Sequence, residues 1–190
     1  GTRIGSHDLF ITEACEYVKS FLTLRPTVAL INNIDNDHLD YYKTIDNIVK
    51  AFEKFIGLLP EDGCFIACTD DFRVKKLFDN FPGNKLSYGM ADADYTPANL
   101  TYDNEGCPSF DLCYKGESLG SIKLHVPGSH GVIDAMAAAV VAMHLGGEFK
   151  VISGNQIGIL LADYTIGAWQ RAGKMPANGV ILKSLVSTEM

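Results

Sequence analysis

At 190 residues, with 47% hydrophobic and 21% charged side chains, the chain is long enough for a sizeable core and is not a disordered segment. Its 16 Lys+Arg stand against 23 Asp+Glu, a formal net charge of -7, which argues against a nucleic acid or an anionic membrane as partner, because either needs a basic footprint. Five irregularly spaced cysteines (Cys15, Cys64, Cys68, Cys107, Cys113) make no disulfide framework or paired metal site; they read as reduced structural thiols, and hence imply the cytoplasm.

Strand and helix patterns alternate along the chain. Thr27–Ile31 is a short β-rich run after Pro26, read as a buried strand. From Thr44 to Ile56, apolar residues recur at spacings of three and four, which predicts an amphipathic helix stopped by Gly57 and Pro60. Gly63–Cys68 is a second buried strand, Asp71–Phe78 a short helix, and Lys85–Tyr88 a third strand. From Asp94 to Val126 the residues alternate around turn signals at Asp103-Asn104, Lys115-Gly116 and Leu119-Gly120. An antiparallel hairpin is expected there, Ser109–Tyr114 pairing with Ser121–Val126. Val132–Leu145 is the longest apolar stretch. It is an alanine-rich helix closed by Gly146-Gly147, short of the ~18–20 residues that cross a bilayer. A strand at Phe149–Ile152, a helix over about 155–171 and a strand over 179–187 follow. No secretory signal is read at the start. The pattern predicts an α/β fold: a mostly parallel sheet flanked by helices, with a small antiparallel hairpin region.

One stretch concentrates chemistry. The strand ending at Ile31 runs into Asn32-Asn33-Ile-Asp35-Asn-Asp37-His38-Leu-Asp40, and Glu13 and Glu16 precede it. In parallel α/β sheets ligands bind beyond the carboxyl ends of strands, and carboxylates, amides and a histidine gathered there suit a divalent cation. The same residues serve equally well as turn formers and helix caps, and residue chemistry alone leaves both readings open.

The run TEACEYVKSFLTLRPTVALINNIDNDHLDYY resembles the corresponding stretch of the UDP-N-acetylmuramate–L-alanine ligases of the Mur ligase family. LPEDGCFIACTDD, KLSYG, ADADYTPANL and SFDLCYKGESLGSIKLHVPGSHGVIDAMAAAVVAMHLG resemble the same family in the same order. The resemblance covers residues 1–146, as a segment like the family's central ATP-binding domain. It implies that Glu13 and His38 are Mg²⁺ ligands, that Asn33 and Asp37 lie close to the phosphates, and that His130 lies beside the nucleotide base. It also implies an ATP-dependent ligase chemistry, with Mg²⁺ and ATP as cofactors, that makes an amide through an acyl-phosphate.

The departures are specific. The family's Gly-Thr-His-Gly-Lys-Thr phosphate loop has no counterpart in these residues; the one Gly-Lys pair, Gly173-Lys174, continues into Met175-Pro176. Gly131 and Asp134 stand where the family pattern Pro-Gly-x-His-Asn-x-x-Asn has asparagines. Residues 147–190 instead resemble phosphoglucomutases and phosphomannomutases, through Ser153-Gly-Asn-Gln-Ile-Gly158 and Pro176-Ala-Asn-Gly-Val-Ile-Leu-Lys-Ser184. Two resemblances meeting at Gly146-Gly147 imply a chimera whose β-α-β tail completes the sheet. The first functional expectation is a non-catalytic α/β domain that binds no nucleotide or metal tightly. The others are a residual Mg-nucleotide module on Glu13, His38 and His130, and a ligase part that works with a partner. A homo-oligomer formed through sheet edges is also expected. His7, His125, His144 and Trp169 read as structural.

Overall fold

The computed structural model describes residues 10–146 and the backbone of residues 180–182. The expected helix over 155–171 with Trp169, most of the mutase-like tail, and His7 lie outside the described residues. In chain order the elements are β1 (Ile11–Glu13), a 3-10 segment (Tyr17–Thr23), β2 (Val28–Ile31), α1 (Leu39–Tyr42), α2 (Ile45–Ile56), β3 (Cys64–Cys68), α3 (Phe72–Asn80), β4 (Asn84–Tyr88), β5 (Tyr95–Tyr102), β6 (Pro108–Tyr114), β7 (Glu117–Lys123), α4 (His130–His144) and β8 (Val180–Leu182). The described chain forms two compact units, residues 10–86 with 180–182, and residues 87–146.

The first unit is built on parallel strands. β8 lies between β1 and β2, with Leu182 opposite Glu13 and Val180 opposite Val28, and β2 pairs in turn with β3. Every residue of β2 and β3 is buried, as their continuous apolar runs require of parallel strands. Helix α2 starts where Thr44, in extended backbone, caps it: its Oγ1 accepts from the Asn47 N–H at 3.4 Å. Asp46 in the first turn and Lys54 in the last complement the helix dipole. Its inward face (Ile48, Ala51, Phe52, Phe55, Ile56) packs with Ala29 and Ile31 of β2, Phe65 and Ala67 of β3, and Val74 and Leu77 of α3. Phe21 of the 3-10 segment is seated on that face, stacked on Phe55 at 4.9 Å and edge-on to Phe52 at 5.3 Å.

The carboxyl end of α3 is closed by a side chain. Lys85 Nζ donates to the carbonyls of Phe78 (2.6 Å) and Phe81 (2.9 Å) and lies 4.8 Å over the Phe78 ring. A cation there satisfies terminal carbonyls that the helix leaves open. Lys85→Met, which keeps the stem and removes the charge, is expected to lower stability by about 1–2 kcal/mol in urea unfolding.

In the second unit, β5, β6 and β7 form an antiparallel meander, and β4 joins β5 in parallel at Tyr88 opposite Tyr95. The Asp94 carboxylate fixes that start: Oδ2 accepts from both the backbone N–H and the hydroxyl of Ser87, each at 2.9 Å. Helix α4 buries Val132, Met136, Val140 and Val141, and packs on β5 and β6.

The hairpin register differs from the expected one. Two turn signals compete, and Lys115-Gly116 wins: both residues have positive φ (49° and 88°), as a two-residue hairpin turn demands. The second strand therefore begins at Glu117 rather than Ser121. Gly120, φ 146°, falls inside it, beside a register shift at Leu112/Cys113. Helix α4 begins at His130, two residues before the expected Val132.

Candidate metal centre

The loop after β2 leaves the sheet at Asn32 and is held by its neighbour after β3. Asp71 caps α3, its Oδ1 accepting from the N–H groups of Arg73 (2.8 Å) and Val74 (2.9 Å), while Oδ2 accepts from the Ile34 N–H at 3.5 Å. One carboxylate thus fixes a helix start and ties two strand-end loops together. Ile34 is buried, so the polar residues after it are carried on a pinned base. Beyond it, the Asp37 Oδ1 accepts from the His38 N–H at 2.8 Å. His38 adopts a left-handed backbone (φ 54°), and its carbonyl accepts from Tyr41 and Tyr42, starting α1.

The loop after β1 arrives at the same place. Ala14 is buried, and the Glu16 carbonyl accepts from the Tyr42 hydroxyl at 2.5 Å, which joins the two loops through a buried ring. Burial, and then the charge of Glu16, push the Tyr42 phenol up to about 12. It therefore stays a neutral donor across the physiological range.

The ligand atoms of Glu16, Asp37 and His38 lie within 4.8 Å of one another. Glu16 is buried and the other two are half-buried. His38 Nδ1 stands 3.7 Å from Asp37 Oδ1. Two carboxylates and an imidazole concentrate negative charge at one point. Hard oxygen donors with one nitrogen suit Mg²⁺ or Mn²⁺, which accept water for the rest of their shell. The donor set fits the cation that the sequence resemblance implies.

Each residue expected at the site has a definite place. Asp37, expected near the phosphates, and His38, expected at the metal, are brought together in one cluster with Glu16. Glu13 is exposed at the end of β1, opposite Leu182 of β8, and is not one of the three clustered groups. Asn33 is half-buried in the loop between β2 and the cluster. Glu16 stands in the quoted run, but nothing in its spacing distinguishes it from Glu13. What selects Glu16 is the turn that follows it, where Val18 and Lys19 take left-handed backbone. Thr69, just past β3, has a buried Oγ1 without a hydrogen-bond partner among the described residues.

His130 belongs to the second unit and opens α4 there. Gly128 precedes it with φ 109°, a conformation that favours glycine, and a Cβ on it would meet His130 Cε1 at 2.5 Å. The glycine thus makes room for the imidazole itself. At Gly131, where the family pattern has asparagine, a Cβ would meet Leu124 Cδ1 at 3.2 Å. Asp134, one helical turn after His130, is half-buried. Desolvation pushes its carboxyl up to about 6, against the opposing effect of His130.

Because the folded pKa lies above the usual carboxylate value, the neutral acid favours the fold. That stability is complete below about pH 4 and is lost as pH rises through about 6. Asp134→Asn is expected to flatten this slope. It is also expected to raise stability at pH 7.5 by about 1–2 kcal/mol, after allowance for solvent screening of a half-exposed group. Thermal melts from pH 4 to 8 check both.

Comparison with known proteins supplies the context. A model of the Mur ligase middle domain matches residues 3–142. The UDP-N-acetylmuramate–L-alanine ligase of Caldanaerobacter subterraneus subsp. tengcongensis is 42% identical over 145 residues, which is 76% of this chain and 32% of that protein. That of Clostridium tetani is 45% identical over 143 residues, 75% of this chain and 31% of that protein. The chain thus spans about a third of the length of the curated relatives it matches. Among solved structures, UDP-N-acetylmuramate–alanine ligase from Thermotoga maritima aligns with a TM-score of 0.58 at 20% identity, over 79% of this chain and 31% of that one. MurF ligase from Thermotoga maritima in complex with ADP aligns at 0.58 and 19%, over 70% of this chain and 31% of that one. At such identities these two structures speak for the fold alone.

Proposed function

The chain belongs to the Mur ligase middle domain family, and from that premise we propose that it provides the metal side of an ATP-dependent amide-ligase centre. Glu16, Asp37 and His38 hold one Mg²⁺. The observation that carries this reading is the convergence of their ligand atoms within 4.8 Å at the carboxyl ends of parallel strands. The cation, when bound, neutralises phosphoryl oxygens and orients them against an attacking carboxylate. This chain's own residues do the holding. Asp71 pins one loop to the start of α3, Tyr42 clamps the other, and the left-handed turn at His38 brings the imidazole beside Asp37. Asn33 offers an amide donor on the phosphate side. The five cysteines are free thiols, which suits the cytoplasm.

Residues 1–190 contain no Gly-Lys-Thr or Gly-Lys-Ser run to cradle β- and γ-phosphates. On their own they therefore bind the cation and do not ligate. The experiment is a Mn²⁺ titration of the 190-residue chain with and without ATP, alongside an assay for ADP with UDP-N-acetylmuramate and L-alanine. One Mn²⁺ per chain and no ADP is the expected outcome; ADP formation that depends on both substrates would overturn the non-catalytic part.

A second reading, residual nucleotide binding, draws support within the first unit from the orphaned Thr69 hydroxyl, which a polar ligand beyond β3 would satisfy. Mg-ATP binding tighter than about millimolar, and weakened by Thr69→Val, would favour it. The late strand β8, paired on both sides, supports the reading that the tail completes the sheet, as a chimeric tail would have to do. Removing residues 175–190 bares the facing edges of β1 and β2 and is expected to cause self-association in light scattering. A monomer with unchanged melting would contradict that reading.

A further inference from the structure

We propose that Tyr17 is the positioning residue of this centre: its ring fixes the orientation of the His38 imidazole. The inference rests on the metal reading above. The Tyr17 ring lies 5.0 Å from that of His38, tilted by 51°. The Tyr17 ring also meets Tyr41 edge-on at 6.3 Å, and Tyr41 meets the buried Tyr42 edge-on at 5.0 Å. A row of rings therefore runs from the core to the imidazole, and Tyr17 is its last member. Tyr17 is nevertheless 44% exposed. Burial alone does not account for a large aromatic ring at that position.

The backbone is strained to put it there. Val18 and Lys19, which follow Tyr17, have φ of 54° and 59°, and His38 has 54°. For a β-branched valine this region is a genuine outlier, and such strain persists where surrounding structure over-determines it. The reversal allows two consecutive side chains to reach one imidazole: Glu16 as a ligand group and Tyr17 as a ring tilted beside it. Neighbours that orient a ligating histidine commonly change metal affinity by about 10–100-fold when removed. Hydrogen-bond partners usually play that part; here a packed ring plays it.

The test uses the whole chain with Mn²⁺ as probe and compares Tyr17→Ala, Tyr17→Leu and Tyr17→Phe. The alanine and leucine variants are expected to bind Mn²⁺ about 10-fold more weakly, and phenylalanine to restore binding to within about twofold. The second readout needs no metal. The His38 Hε1 proton signal carries a ring-current shift that is expected to vanish in the alanine and leucine variants and remain in phenylalanine. Wild-type affinity in Tyr17→Ala or Tyr17→Leu would overturn the proposal. If the wild type itself took up no Mn²⁺, the metal reading would fall, and the ring-current shift would then judge Tyr17's hold on His38 by itself: no change on losing the ring would overturn it.

Discussion

Replacing Phe55 with alanine is expected to remove about 3–5 kcal/mol of stability, much of what a domain of this size possesses. Phe55 is fully buried on the inward face of α2, and the Phe21 ring stacks on it at 4.9 Å, nearly parallel at 24°. Truncation removes a large apolar transfer term and leaves a cavity beneath Phe21. Phe21 is the buried anchor of the 3-10 segment whose first residue is Tyr17, next to Glu16. The loss is therefore expected to reach the proposed metal centre as well as the core, with Mn²⁺ affinity falling along with stability. Urea unfolding followed by far-UV circular dichroism gives the first number. A loss below about 1.5 kcal/mol would mean that Phe21 is not seated on α2 as described.

The second large effect is at His38. Its backbone is left-handed at φ 54°, so His38→Gly removes the imidazole without adding strain, since glycine takes that conformation freely. Stability is expected to change by less than about 0.5 kcal/mol, because the side chain is half-exposed. Mn²⁺ affinity is expected to fall by about 100-fold or more, since loss even of an outer partner costs 10–100-fold. The stability assay separates the core from the site: Phe55→Ala is expected to lower both stability and affinity, and His38→Gly affinity alone.

Much of the first unit was legible in the sequence because its signals are local. Val28–Ile31 and Cys64–Cys68 are uninterrupted apolar runs, and Thr44 and Asp71 are capping residues placed just before helical periodicity. β1 was not legible: its three residues are a strand only because β8, far along the chain, pairs with them. β5 was obscured by Pro97 and by Asn99, whose φ of 52° sits at a register shift that breaks the alternation. The hairpin register turned on which of two glycines took the turn, a choice that propensity does not make. At the site, the loop and its histidine were legible from composition and family resemblance. The approach of Glu16 to Asp37 and His38 was not, because it precedes a strained reversal at Val18-Lys19 that no residue preference encodes. Asp71 showed itself as a helix cap, while its reach to Ile34 needed the tertiary structure.

The most direct measurement of the central claim is pulsed electron paramagnetic resonance of Mn²⁺ bound to the chain. One Mn²⁺ coupled to a single ¹⁴N nucleus is predicted, with the coupling abolished in His38→Gly and retained in Asp134→Asn. A bound Mn²⁺ with no nitrogen coupling, or one whose coupling survives the loss of His38, would contradict it.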